Sequence, residues 1–237
     1  MKADRKEAVL EKIKLWDKKV GKILVEPEFE RWVEINAPLI LAPFFPERIT
    51  PLDHSDITFA LEWSRKEGLN SQRFAVGAFY PDKTRAFFTY FLVKRAGQEG
   101  FAWFENALQG LNAEVVSLGI GVDGKRGEWR FYVQSNDPER AVLGLTVSFN
   151  GEIIERKVYS YNPAGLMVVR GERGERKQIN VLSEREQEIT LSLVQMISSS
   201  LYREATKVLE LGFSLDTFSV HPSKERVVLY FEPLFFG

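Results

Sequence analysis

The feature that most constrains this chain is a period-two alternation that recurs along its length. One face of each segment is apolar. The other mixes very small residues with long cationic or phenolic ones. In residues 57–64, Ile57, Phe59, Leu61 and Trp63 alternate with Thr58, Ala60, Glu62 and Ser64. In 117–123, Leu118, Ile120 and Val122 alternate with Ser117, Gly119, Gly121 and Asp123. Beyond a Gly124-Lys125-Arg126-Gly127 turn, Trp129, Phe131 and Val133 alternate with Glu128, Arg130, Tyr132 and Gln134. In 143–150, Leu143, Leu145, Val147 and Phe149 alternate with Gly144, Thr146, Ser148 and Asn150. Asn150-Gly151, a dipeptide suited to a tight hairpin turn, leads to a face of Glu155, Lys157, Tyr159 and Tyr161. Near the C-terminus Val227, Leu229 and Phe231 alternate with Arg226, Val228 and Tyr230. Successive side chains of a strand point to opposite faces, so each segment reads as a strand with one face to bury.

Strand–turn–strand units are expected at 57–80, 115–134, 143–161, 166–182 and 212–232. The fourth turns around Arg170-Gly171-Glu172-Arg173-Gly174-Glu175, and Pro81-Asp82-Lys83-Thr84 offers an alternative turn within 73–93. Helical spacing appears in 4–20 through Val9, Ile13, Trp16 and Val20, and in a short helix from Pro27 carrying Phe29, Trp32, Val33 and Ile35. It returns in 98–111 through Phe101, Phe104 and Leu108. Ser183 and Glu186 form a capping-box pattern that opens a helix over 184–210. Its Ile189, Leu193, Ile197, Leu201, Val208 and Leu211 are spaced for one buried stripe. Pro38, Pro43, Pro46 and Pro51 make 37–55 an irregular segment. No linker interrupts the pattern. The expected organisation is one domain over 1–237, with N-terminal helices at 4–36 and hairpin and helix repeats at 57–232.

Composition removes several function classes. The 237 residues are 44% hydrophobic and 27% charged, enough for a sizeable core. Lys+Arg number 32 against 33 Asp+Glu, so no global field draws the chain to nucleic acid or an anionic membrane. The absence of cysteine excludes thiol catalysis, cysteine-ligated zinc and disulfides. His54 and His221 are too few for a histidine-built metal site. The opening residues lack an apolar signal core and no run approaches ~18 apolar residues, so a cytoplasmic chain without a membrane span is expected. No GxxxxGK[ST] loop, helix-opening GxGxxG, GxSxG elbow or HExxH helix occurs. The glycines of Leu118-Gly119-Ile120-Gly121-Val122-Asp123-Gly124 belong to a strand and its turn.

Two architectures accommodate the polar face. In an open α+β sheet, helices cover one side and water the other. Arg73, Arg130 and Arg226 are then surface cations, Glu62 a salt-bridge partner, and Tyr132, Tyr159 and Tyr230 strand-packing aromatics. In a closed antiparallel barrel with helices outside, the same residues line a polar, ligand-sized lumen. Small residues would leave room there while long ones reach in. His221 before Pro222 reads as a loop residue, and Glu172–Lys177 as solvated hairpin surface.

The repeated helix–hairpin units and the Arg/Lys/Tyr alternation resemble the αββα prenyltransferase barrels, most of all the peptide prenyltransferases of cyanobactin biosynthesis. The likeness is carried by Ser71-Gln-Arg-Phe-Ala-Val and Phe79-Tyr-Pro-Asp-Lys-Thr, by Val115–Asp123 with its return strand Glu128–Val133, by Val147-Ser-Phe-Asn-Gly with Lys157-Val-Tyr-Ser-Tyr, and by Arg226–Phe231. It implies an α+β fold: an antiparallel β-barrel of repeated hairpins with helices outside. It also implies transfer of a prenyl group from a prenyl diphosphate to a peptide or small aromatic acceptor, assisted by Mg²⁺. Cations and phenols would stabilise the departing diphosphate, and aromatic rings would shield the allyl cation. By position, the resemblance implies diphosphate or prenyl contacts for Arg73, Arg130, Tyr132, Gln134, Lys157, Tyr159 and Tyr230. It implies a catalytic carboxylate at Glu62, displaced along its strand from the family's position. The chain is shorter than typical members and lacks a helix before the fourth hairpin. A non-catalytic barrel that binds an anionic or aromatic ligand, or a partner protein, is therefore the alternative.

Overall fold

The computed structural model describes residues 2–20, 26–36, 55–79, 81–110, 114–162, 166–172, 174–181, 183–221 and 225–233. The proline-rich segment expected to be irregular lies outside these, save for Ser55. Ten strands follow the alternation: β1 (Ser55–Ser64), β2 (Gly68–Phe79), β3 (Val115–Asp123), β4 (Glu128–Ser135), β5 (Val142–Ser148), β6 (Ile153–Tyr161), β7 (Met167–Gly171), β8 (Gly174–Asn180), β9 (Phe213–His221) and β10 (Arg226–Pro233). They form a closed barrel in the order β1-β10-β9-β8-β7-β6-β5-β4-β3-β2. Every neighbouring pair is antiparallel. The five expected hairpins are its consecutive strand pairs. Gly127 (φ 67) and Gly151 (φ 91) supply the left-handed backbone that two of the tight turns require.

Closure is made by β1 and β10, with Ala60 opposite Tyr230 and Leu61 opposite Leu229. It corrects the open-sheet expectation, because the polar face encloses a lumen instead of meeting bulk water. The apolar face points outward and is buried under α1 (Lys2–Val20), α2 (Pro27–Asn36), α3 (Pro81–Gly110), α4 (Glu184–Ile197) and α5 (Ser199–Glu210). Aromatic contacts join the layers. Trp16 lies 4.7 Å from Phe213, Phe91 5.0 Å from Trp129, and Phe88 5.8 Å from Phe131, between ring centroids. Trp32 Nε1 donates to the Val76 carbonyl at 2.9 Å, tying α2 to β2. Trp129 and Phe131 are fully buried, whereas Trp63 is only half-buried.

Three local expectations are corrected. Pro81 opens α3 and does not turn a hairpin, since its fixed φ suits a first helical turn and Phe88, Phe91 and Leu92 follow at helical spacing. The helix expected at 98–111 is the second part of this element, whose helical path breaks at Gly97 (φ 58, ψ −154). The 184–210 helix is divided at Ser198, which adopts extended backbone and caps α5 by accepting from Leu201 N at 3.2 Å. That break rotates the stripe. Leu201 and Val208 are buried, but Ile189, Leu193 and Ile197 are about half exposed while Val194 turns inward. Only residues 162–166 separate β6 from β7, and 136–141 separate β4 from β5. The short junction between β6 and β7 is the one before the fourth hairpin, where the resemblance implies a missing helix. Among the described residues no helix is long and apolar enough to cross a membrane.

Candidate functional site

The inward residues sort into two layers. The first is charged. Glu62 of β1 lies among three guanidiniums: Arg126 Nη2 donates to its Oε1 at 2.7 Å, Arg226 Nε stands 3.2 Å from Oε1, and Arg73 Nη2 3.6 Å from Oε2. Arg130 pairs with Glu128 at 2.7 Å and approaches Asp123 at 3.7 Å. Asp123 also accepts from the Ser71 hydroxyl at 2.5 Å. Lys157 Nζ pairs with Glu155 at 2.9 Å and reaches Thr146 Oγ1 at 3.5 Å. Arg176 of β8 is equally buried. Among the described residues of this layer the six cations Arg73, Arg126, Arg130, Lys157, Arg176 and Arg226 face four carboxylates, Glu62, Asp123, Glu128 and Glu155.

The protonation equilibria follow from that crowding. Burial alone would raise the Glu62 pKa, but Arg73, Arg226 and Arg126 outweigh it and hold the carboxyl at about 2. Lys157 is pushed well below the ordinary lysine value by burial, then by Arg130 and Arg176, despite Glu155. Arg73 is held firmly protonated: Tyr230 and Glu62 overcome the cost of its burial.

The second layer is a chamber of about 190 Å³ lined by Ala75, Gly77, Gly119, Tyr132, Tyr159 and Tyr230 among others. Its space exists because three neighbouring strands present glycine or alanine inward. Opposite Tyr132 stand Gly119 on β3 and Gly144 on β5. A Cβ on Gly144 would meet Lys157, Tyr159 and Tyr132 at 3.5–3.6 Å, so these rings close around the glycine. Burial, then the neighbouring Tyr132, raises the Tyr159 pKa well above the ordinary phenol value. Gln134 accepts from the Ser117 hydroxyl at 2.9 Å at the chamber wall. Tyr230 joins the layers: its ring lines the chamber, and the Arg73 guanidinium carbon sits 5.5 Å from its centroid. A larger recess of about 600 Å³ opens at the charged end, lined by Glu62, Ser64, Lys66, Arg126, Glu128 and Arg226 among others.

All eight residues singled out from the sequence lie on the polar parity of their strands and face this one lumen. Arg73, Arg130 and Lys157 feel one another's charge across the lumen, and Arg130 and Lys157 each also stand beside a carboxylate. Arg226 is no surface cation. His221 is a buried member of β9, not a loop residue. Sequence reasoning passed over Arg126, which sits in a turn, and Arg176, which sits in a charged run that read as solvated. The alternation of Arg176 and Gln178 with Lys177 and Ile179 was the available signal.

Among the described residues, each lumen carboxylate stands beside a cation, and no group of three or more acidic or histidine side chains is placed to hold a metal. Mg²⁺ wants several oxygen ligands in octahedral geometry. This donor set does not fit a protein-held Mg²⁺. No protein-family model and no curated protein matches the chain.

Proposed function

We propose that the lumen binds a small organic anion, with its charged group in the cationic layer and its apolar or aromatic body in the tyrosine chamber. The observation that carries this reading is the excess, among the described residues, of six cations over four carboxylates directly beside a chamber walled by phenol rings. Enclosure strengthens both parts, since ionic attraction grows away from water and aromatic faces favour flat or branched apolar groups. Among such ligands, the resemblance to αββα prenyltransferase barrels points to a prenyl diphosphate. Isothermal titration with a panel of organic anions, including dimethylallyl thiolodiphosphate, tests the reading. One saturable site that is lost on Tyr132→Leu supports it. No binding by any member discards it.

A second reading is transfer of the prenyl group to a peptide or small aromatic acceptor. Tyr132, Tyr159 and Tyr230 around the chamber favour it, because they would shield an allylic cation from water. Glu62 fits poorly as the base in that reaction. A carboxyl with a pKa near 2, held by three guanidiniums, is a weak proton acceptor at neutral pH, and its place is that of a clamp on the arginines. Incubating dimethylallyl or geranyl diphosphate with aromatic and peptide acceptors, and reading product mass, separates turnover from binding alone.

A further inference from the structure

We infer that Arg176, with Arg73, Tyr230 and Ser219, forms a donor-rich pocket for a single oxyanion on one side of the lumen. The inference rests on the reading of the lumen as a ligand site and locates the ligand's charged group within it. The excess of cations among the described lumen residues is not spread evenly. Arg126, Arg130, Lys157 and Arg226 each stand within 3.2 Å of a carboxylate oxygen. Arg176 makes no ion pair with any described residue, and its Nε and Nη2 are buried without a hydrogen-bond acceptor. Arg73 is close behind, for its Nε and Nη2 also lack one and Glu62 stands 3.6 Å away. The Ser219 hydroxyl is buried and unpartnered in the same way, and the buried Tyr230 hydroxyl has only the Gln178 side chain beside it.

The strands that carry these groups adjoin in the order β8, β9, β10, β1, β2. Gln178 of β8 pairs with Ser219 on β9, and Ser219 with Val228 on β10; Arg176 lies on one side of this row, toward His221 and Arg226, and Tyr230 on the other, opposite Thr217. Tyr230 and Arg73 flank the small Ala60 from opposite sides, which lets the guanidinium lie over the phenol ring. Arg176 and Arg73 are also the two charges felt most strongly by the Tyr230 hydroxyl. A guanidinium offers only donors, and a hydroxyl can donate. Buried donors left without acceptors are costly and rare in folded proteins. A tetrahedral or planar oxyanion supplies several acceptor lone pairs together with the negative charge that two guanidiniums call for; a neutral ligand brings no such charge and a cationic one is repelled. Phosphate, carboxylate and sulfonate groups share that chemistry.

The adjoining space limits the rest of the ligand. At about 190 Å³ the chamber has the room of roughly six water molecules, taking ~30 Å³ for each. A five-carbon or single-ring body fits.

Isothermal titration with inorganic phosphate, benzoate and dimethylallyl thiolodiphosphate tests this on wild type and four variants: Arg176→Gln, Arg176→Lys, Arg126→Gln and Arg170→Gln. Arg170 faces outward on the adjacent strand and pairs with Glu175, so it reports on general charge. We expect Arg176→Gln to weaken binding at least tenfold, Arg176→Lys to keep part of the affinity, and Arg170→Gln to change nothing. Tryptophan fluorescence confirms folding, and Tyr230→Phe provides a second, milder removal of one donor, expected to weaken binding several-fold. Binding that is insensitive to both Arg176→Gln and Tyr230→Phe overturns the pocket while leaving the lumen as a ligand site. Loss confined to Arg126→Gln places the anion in the outer recess and overturns it equally. No binding of any anion overturns both the pocket and the proposed function.

Discussion

Arg126 Nη2 and Glu62 Oε1 meet at 2.7 Å although 64 residues separate them in sequence. The contact ties the β3–β4 turn to the inward face of β1 at one mouth of the barrel. Arg126 Nε adds a bond to the Asn70 carbonyl at 3.3 Å, and Lys125 Nζ reaches the Leu69 carbonyl at 2.6 Å. One hairpin turn is thereby latched over another, with Glu62 as the shared anchor for Arg73 and Arg226.

Replacing Glu62 by Gln leaves those guanidiniums buried without their counter-charge, and breaking a buried pair on one side costs about 3–5 kcal/mol. Urea midpoints measure this. The pH dependence has a definite sign. Because the folded pKa is about 2 and the ordinary value 4.5, the stability that Glu62 contributes is full above 4.5 and is lost as pH falls toward 2. The variant should therefore show a flatter acid limb than wild type. An unchanged midpoint together with an unchanged acid limb rejects the anchor role.

Trp129 is fully buried on the outer face of β4, with Phe91 at 5.0 Å, Phe149 at 5.1 Å and the Arg95 guanidinium 5.1 Å from its ring. Trp129→Ala removes the central ring of that cluster and should cost about 3–5 kcal/mol. Differential scanning calorimetry checks it. A melting temperature equal to that of wild type means the outward apolar face is not the core.

Much of this fold is written locally. In β3 and β4 the alternation assigns each residue to core or lumen, and the Gly127 and Gly151 turns follow from short-range chemistry. Closure is different. It depends on Ala60 meeting Tyr230, a pairing between distant segments that no local window contains. The outward turn of Ile189 and Leu193 likewise depends on a break at Ser198 that helical spacing alone does not reveal. Arg176 illustrates the limit at the site. Its neighbours Glu175 and Lys177 are exposed, so the charged run looks solvated until β8 pairs with β9 and turns every second residue inward.

Gly119 and Gly121 occupy the same inward parity of β3 but should respond differently. A Cβ at Gly119 would lie 3.4 Å from Tyr132 Cβ and 3.7 Å from Gly77 Cα, ordinary contacts at the chamber wall. One at Gly121 would stand 3.0 Å from Ala75 Cβ and 3.2 Å from the Phe74 carbonyl oxygen, where backbone must yield. Gly121→Ala should cost about 1–3 kcal/mol through overpacking. Gly119→Val should fold normally and abolish binding of organic anions by filling the chamber, while inorganic phosphate still binds. Thermal melts and titration calorimetry together read both; retention of organic-anion binding by Gly119→Val places the ligand body elsewhere.

Tyr230 supplies an optical test of the charge arrangement. Burial acts to raise its pKa, but Arg176 and Arg73 outweigh it and bring the phenol below its ordinary value of 10.0. Tyr159, raised by burial and by Tyr132, should titrate above that value. A tyrosinate absorbance titration of the folded protein should therefore show one group ionising early, missing in Tyr230→Phe and moved upward in Arg176→Gln. The linkage runs in the same sense. Between the folded pKa and 10.0 the unfolded chain binds more protons at this position, so Tyr230 adds stability as pH rises through that window. An oxyanion seated between the guanidiniums competes with the phenolate for them, and saturating phosphate should push the early step toward higher pH. If no phenol ionises below the ordinary range, or if Arg176→Gln leaves the early step in place, Arg176 does not set the potential at this hydroxyl.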